Sequence, residues 1–380
     1  MTARRACLVL LLASATMTVA RSGHELPVYP SYYPHEIELQ AVPPERAGAL
    51  LVEGKLHAFV GGAPRRDGAW PEHVQAIESL GSFVLVRLNP ASPHAQEEQS
   101  ACAATRTVAR AVAEKSADLI THPYPVTPLH GDYLHHVDLA DVVKRRVYGD
   151  GSTLATVDGL KVKAEGFPQT AVPPEWRVRD GDWDAEVVEI ALADLIDPAR
   201  VALNGWQGPP WIRSGWFHAY RLLAGEIDNP PARQRVEAGL QRLEADAFAS
   251  PPERINLERD FVASLAFGCH AGVIGYRVKR EFINVEFSAG IENIAFDAVD
   301  GLNAPMFLRT VKLKDFPWNG WLSLGTDGRP NAAWNPIAGF NDRFGRLLWS
   351  AVGDPAAVPS PYDSGWVLNR ISDVQPAQGQ

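Results

Sequence analysis

From Glu36 to Arg146 short apolar runs alternate with segments of helical spacing, and the boundaries between them are written in proline and glycine. This alternation constrains the fold most, because successive strands joined through helices pair most readily in a parallel sheet. Glu36 to Val42 has strand character, and Pro43-Pro44-Glu45 then opens a helix through Ala47, Leu50 and Leu51 that Gly54 ends. Lys55 to Val60 reads as a strand closed by Gly61-Gly62. Trp70-Pro71-Glu72 reads as the start of a helix carrying Val74, Ile77 and Leu80, and Ser82 to Leu88 as the next strand. A long helix from Pro93 to Lys115, a strand from Ala117 to Thr121 and a helix from Tyr133 to Arg146 complete the lobe, the last begun by Asp132 as N-cap. The expected fold is an α/β N-terminal lobe over residues 21–150, a parallel sheet with flanking helices, followed by an α+β portion over 151–380. Such a division admits a two-lobed architecture.

With 380 residues, 46% of them hydrophobic and 21% charged, the chain is long enough for one or two full cores. Lys and Arg total 36 against 45 Asp and Glu, a net charge of −9, and no basic run tracks a phosphate backbone, which argues against nucleic acid. Arg4 and Arg5, the apolar run Ala6 to Ala15 and the small-residue frame Thr18-Val19-Ala20 have the three parts of a secretory leader, residues 1–20, cleaved after Ala20. Its apolar run is shorter than the roughly 20 residues that span a bilayer. Losing two arginines with it would take the charge from −9 to −11. The 28 Arg against 8 Lys, with no N-x-Ser/Thr acceptor, point to a bacterial periplasmic or secreted protein. Cys102 and Cys269 remain after the leader. In an oxidising compartment they can pair and close a loop worth on the order of 4 kcal/mol, or stay as buried thiols.

If the strands are parallel, their carboxyl ends at Gly61-Gly62, Asn89-Pro90 and His122-Pro123 mark the ligand site, since open α/β sheets bind ligands there. The run Leu50 to Pro64, LLVEGKLHAFVGGAP, with Ser82 to Ala91, SFVLVRLNPA, resembles the first lobe of periplasmic solute-binding proteins of ABC transporters over about 40 residues. The resemblance implies a helix ending in glycine, a short strand and a glycine-containing ligand loop, and a membrane transporter as partner.

Four of the eleven histidines fall in HPYPVTPLHGDYLHHVD, between His122 and Asp138. Imidazoles with a carboxylate suit a transition-metal ion such as Zn or Cu, and His122, His130, Asp132 and His135 are the candidate ligands. The spacing matches no metal signature of known frame. A helix-capping Asp132, with His135 and His136 on different helical faces, is the structural alternative. The aromatic segment Tyr29, Tyr32, Tyr33 and His35 could present rings to a ligand or form an N-terminal strand.

After residue 150, Asp158-Gly159 signals a hairpin between Leu154–Val157 and Leu160–Ala164, and Glu186 to Ala191 a strand. Ser214 starts an aromatic helix, Pro230-Pro231 another, and Ser250-Pro-Pro-Glu253 is a capping box for a third. Val273 to Val278, Phe282 to Phe287 and Met306 to Leu313 read as strands. Ten of eleven tryptophans follow residue 175, and Trp318, Trp321 and Trp334 lie in loops where they could stack on a ligand. Along KREFINVEFS, Glu286 with Glu292 could supply the paired carboxylates of a glycosidase.

These features favour a binding protein that captures a small molecule or metal ion between two lobes, through Gly61, Gly62, Asn89, His122, Trp318 and Trp321. The alternatives are a secreted hydrolase, metal-dependent or carbohydrate-active, and a non-catalytic accessory subunit presenting its tryptophans to a partner protein.

Overall fold

The computed structural model describes residues 34, 36–149, 156–179, 181–202, 208–227, 229–286, 288–314, 320–329, 342–353, 355–363, 365–369 and 371–373. In chain order these hold strand β1 (Glu36–Ala41), helix α1 (Pro44–Val52), β2 (Ala58–Val60), β3 (Val74–Leu88), α2 (Glu98–Lys115), β4 (Ile120–Thr121) and α3 (Val137–Tyr148). Then come β5 (Val162–Glu165), β6 (Ala185–Ala191), α4 (Leu192–Ala202), α5 (Gly215–Leu223), α6 (Pro230–Glu244), α7 (Pro251–Ala266) and β7 (Ala271–Asn284). The last are β8 (Ile291–Asn293), α8 (Pro305–Thr310), β9 (Lys312–Leu313), β10 (Trp321–Thr326), α9 (Arg343–Val352), β11 (Ala357–Pro359) and β12 (Trp366–Leu368).

One eight-stranded sheet, ordered β1-β10-β2-β7-β3-β6-β5 with β4 also on β7, takes strands from both sides of residue 150. A sheet with flanking helices and a mixed α+β arrangement is therefore the architecture. Strand directions correct the parallel expectation: β1, β10 and β2 are parallel, as are β5 and β6, but β7 is antiparallel to β2, β3 and β4, and β3 to β6.

The centre of the sheet is the long pair β3 and β7. The expected helix over Val74, Ile77 and Leu80 is instead the first half of β3. Its three-residue spacing misleads because both faces of the sheet are covered: Val74 packs on one side with Leu51 of α1, Ile77 on the other with Phe307 of α8. Strands buried on both faces lose the simple alternation. A register shift between Leu80 and Ser82 resets the phase. Beyond it Phe83 and Leu85 join α5 and α7 in the largest core, while Val84, Val86 and Leu88 meet Ala104 and Val108 of α2 on the opposite face.

Val273 to Phe287, expected as two strands, is one continuous strand ending at Asn284, and Phe287 lies outside the described residues. Met306 to Leu313 is a helix followed by two strand residues. Pro305 stands at its first turn, and Phe307, Leu308 and Val311 share one buried face at helical spacing. The hairpin at Asp158-Gly159 is not what pairs β5: Gly159 has a turn's positive φ of 71°, Leu154 and Ala155 lie outside the described residues, and β5 runs parallel to β6. The helices opened at Pro44 and Ser250 begin as written, and Ser250 accepts the Glu253 N–H. No helix among the described residues is long and apolar enough to cross a membrane.

Candidate functional site

The strand-end residues do not converge. Gly61 hydrogen-bonds at the level of Glu281 on β7, His122 at Ile274, and the backbone before Asn89 at His270. At about 3.3 Å per residue this spreads Gly61 and Asn89 over roughly 35 Å of one strand.

Each of these residues also has a local task. Gly61 has φ 90° and donates its N–H to Glu281, while its carbonyl accepts from Arg343. Arg343 grips Asp327 in a fork at 2.8 and 2.9 Å, and a Cβ on Gly62 would stand 2.8 Å from that carboxylate. The glycines admit an internal ion pair. Asn89 closes a turn, accepting from Ala91 N and donating to Trp183 O. Trp321 begins β10 and is 68% exposed; Tyr29, Tyr32, Tyr33, His35, Trp318 and Trp334 lie outside the described residues. Glu286 is held in its own turn by the Ser288 and Ala289 amides, and Glu292 is exposed on β8.

The histidine cluster is likewise dispersed into packing roles. His122 bonds Val126 O at 2.9 Å through Nε2 and meets the rings of Tyr133 and Tyr276 edge-on. His130 is buried: its Nδ1 accepts the Thr127 N–H, and its Nε2 lies 2.8 Å from Nδ1 of His218, whose Nε2 faces the Ile212 carbonyl at 3.0 Å. Only one set of tautomers satisfies this chain, with both rings neutral, His130 donating to His218 and His218 donating to Ile212. No lone pair is left over for a metal. Burial depresses His130 to about 3, and His136, bonded to Tyr124 at 3.0 Å, to about 4. His122, His130, Asp132 and His135 do not form one ligand set. Among the described residues the three-residue group within ligating reach is Glu98, Cys102 and Cys269, and those two cysteines are joined in a disulfide.

Asp132 does not cap its own helix. Its carboxylate accepts the Gly215 N–H at 3.0 and 3.2 Å, capping α5 from 83 residues away while Ser214 makes no side-chain cap. There it enters the wall of a cavity of about 260 Å³. The other walls come from His135, the starts of α5 and α7, the loop at 297–299 and the loop at 360–363.

Charge concentrates in this cavity. Arg213 and Asp297, 7% and 5% exposed, form an ion pair, and Arg213 also donates to Ser360 O at 2.8 Å through the same nitrogen. Its Nε and Nη2 are buried without a partner. Glu258, nearly buried, accepts from Arg254 at 2.8 Å. Burial raises the carboxyls of Asp132, Glu258 and Asp297 above their ordinary range; Asp132 adds to the shift at Glu258, while Arg213 opposes it at Asp297. Sequence reasoning named Asp132 and His135 but missed Arg213, Glu258 and Asp297. The available signal was Arg213 standing directly before the Ser214-Gly215 helix start, where backbone N–H groups gather.

No protein-family model and no curated protein matches the sequence. Similar solved structures include the oligopeptide-binding protein AppA from Bacillus subtilis in complex with a nonapeptide, at 13% identity and TM-score 0.36, covering 72% of this chain and 59% of that one. Another is the ABC transporter substrate-binding protein CtaP from Listeria monocytogenes, at 10% identity and TM-score 0.39, covering 70% and 58%. A third is NikZ from Campylobacter jejuni in complex with Ni(L-His), at 11% and 0.34, covering 64% and 55%. The chain thus spans between half and three fifths of the length of these proteins. At these identities and scores the likeness assigns no ligand to this chain.

Proposed function

We propose that the chain is an exported solute-binding protein that takes up a small polar molecule in the cavity floored by Arg213 and Asp297. The observation that carries this reading is Arg213. It is anchored to Asp297 and Ser360 through one nitrogen, and its other two are left without an acceptor beside a cavity of about 260 Å³. A buried donor without a partner costs about 1–3 kcal/mol, more when charged, so a ligand carboxylate reaching it would recover that cost. Asp132 and Glu258 also line the cavity and suit a positively charged group. The solute favoured is therefore a small zwitterion with an ammonium and a carboxylate. Residues from 129–135 and from beyond 212 line the cavity together. The leader-like N-terminus and the Cys102–Cys269 disulfide support an oxidising location, and a membrane transporter is the partner that capture without chemistry implies.

The test is thermal unfolding with a panel of amino acids against matched amines and carboxylates, with native mass measured on protein purified without denaturation. A zwitterion at a hundred times its Kd should stabilise the folded chain by about 2.7 kcal/mol. Arg213→Gln should abolish that shift, and Glu258→Gln should weaken it. Equal responses to all three ligand classes, or none to any, would overturn the proposal.

A further inference from the structure

A second polar site lies at the disulfide. Cys102 stands half-buried on α2, and Cys269, 6% exposed, just before β7. Arg146 of α3 is fixed by the Phe267 carbonyl at 2.7 Å and points its other terminal nitrogen at both sulfurs, 3.2 Å from Cys102 and 2.9 Å from Cys269. A disulfide sulfur is a poor acceptor, whereas a thiolate takes a charge-assisted hydrogen bond. The guanidinium therefore interacts far more strongly with the reduced pair than with the bond it now touches. Arg106, one helical turn from Cys102, lines the same small cavity of about 40 Å³ with Arg146 and the two cysteines. Its Nε has no partner, and no carboxylate lines that cavity among the described residues. Mutual repulsion with Arg110 and Arg146 adds to burial in lowering the Arg106 pKa. An opposing charge stands close by: Glu98, exposed, has a carboxylate oxygen within 4.8 Å of both sulfurs.

We propose that Cys102–Cys269 is a thiol-exchange site for an anionic thiol, one that carries carboxylates beside its sulfhydryl. The incoming thiolate attacks Sγ of Cys102 and forms a mixed disulfide with it. The Cys102–Cys269 bond breaks, and its electron pair leaves on Sγ of Cys269 beside Arg146. A second thiolate attacks the mixed disulfide, departs as the oxidised small-molecule disulfide and frees Cys102. The two protein thiolates take up the two protons given up when the small thiols ionised, so two thiols are oxidised and one protein disulfide is reduced. Arg106 receives the incoming carboxylate, and Arg146 stabilises the leaving sulfur.

The experiment follows mixed-disulfide formation by intact mass on the folded, oxidised full chain. It uses glutathione, neutral 2-mercaptoethanol and cationic cysteamine, each normalised to its rate with an unstructured Cys–Cys peptide. Glutathione should react about tenfold faster than cysteamine, in the range that a charged cleft adds to encounter. Arg106→Gln, which breaks no hydrogen bond or ion pair among the described residues, should remove that preference, as should 1 M salt. Arg146→Gln should lower the yield of reduced protein with all three thiols, and Glu98→Gln should speed glutathione. No exchange while the protein stays folded, or a preference that survives Arg106→Gln, would overturn the proposal.

Discussion

Glu281 is fully buried on β7, with both carboxylate oxygens engaged. Oε1 accepts the Gly61 N–H at 2.6 Å, and Oε2 accepts the Leu302 N–H at 2.7 Å and faces Lys279 Nζ at 3.3 Å. The side chain thus ties the end of β2 to the loop that carries Asp297 into the cavity. Glu281→Ala leaves two buried backbone donors without an acceptor, at about 1–3 kcal/mol each. Lys279 keeps its bond to the Asp300 carbonyl at 3.0 Å and is partly solvated, so loss of the ion pair adds less than 1 kcal/mol. The expected loss is about 2–7 kcal/mol. Glu281→Gln retains one acceptor oxygen but turns an amide N–H toward a second donor, and should lose about half as much. Urea unfolding would measure both, as lower midpoints at unchanged slope. A loss below 1 kcal/mol for Glu281→Ala, or a Gln variant no better than Ala, would refute the account of Glu281 as the tie between β2 and the 297–302 loop.

The same junction makes Gly301→Ala costly. Its φ of 66° disfavours a side chain, and a Cβ there would lie 2.1 Å from Glu281 Oε2, so the thermal midpoint should fall by more than for alanine at Gly54, where φ is 69° and the space is open. Acid should weaken the fold through His130 and His136. Their folded values, about 3 and 4, lie below the usual 6.5, so the unfolded chain takes up protons first and stability falls as pH drops from 6.5 toward 4. By pH 5 each contributes a loss of about 2 kcal/mol, and the raised carboxyls of Asp132, Glu258 and Asp297 act in the opposite sense. His136→Gln should lower the slope of stability against pH by about one proton over that window, and an unchanged slope would contradict the assignment.

Helix starts were legible wherever a local rule fixed them, as at Pro44 and Ser250, because capping needs only the residues at hand. Strand direction was not legible. Nothing local in Phe282 says that it pairs with both Phe59 and Ala76, and nothing in Ile77 says that a second layer of helices covers its face. The cavity was half visible. Asp132 stood out as a carboxylate among histidines, but its partner Gly215 lies 83 residues away, and Arg213 and Asp297 meet only through tertiary folding. The histidine run drew attention as a metal cluster because crowding in sequence is easily taken for convergence in space. In the fold His130 looks toward His218, which no spacing within the run could reveal.

The order of strands in the sheet also fixes an order in time. Glu36–Ala41 pairs with Trp321–Thr326, and Ala58–Val60 lies between that strand and Phe282–Ile283. The first two described strands therefore wait for partners more than 220 residues downstream. Long-range pairing of this kind is slow and leaves unpaired edges exposed meanwhile. Piecewise folding from the amino terminus is ruled out for this sheet, and holding the nascent chain open until nearly all of it has been delivered protects it. A chain so arranged suits a route on which it arrives at its destination unfolded.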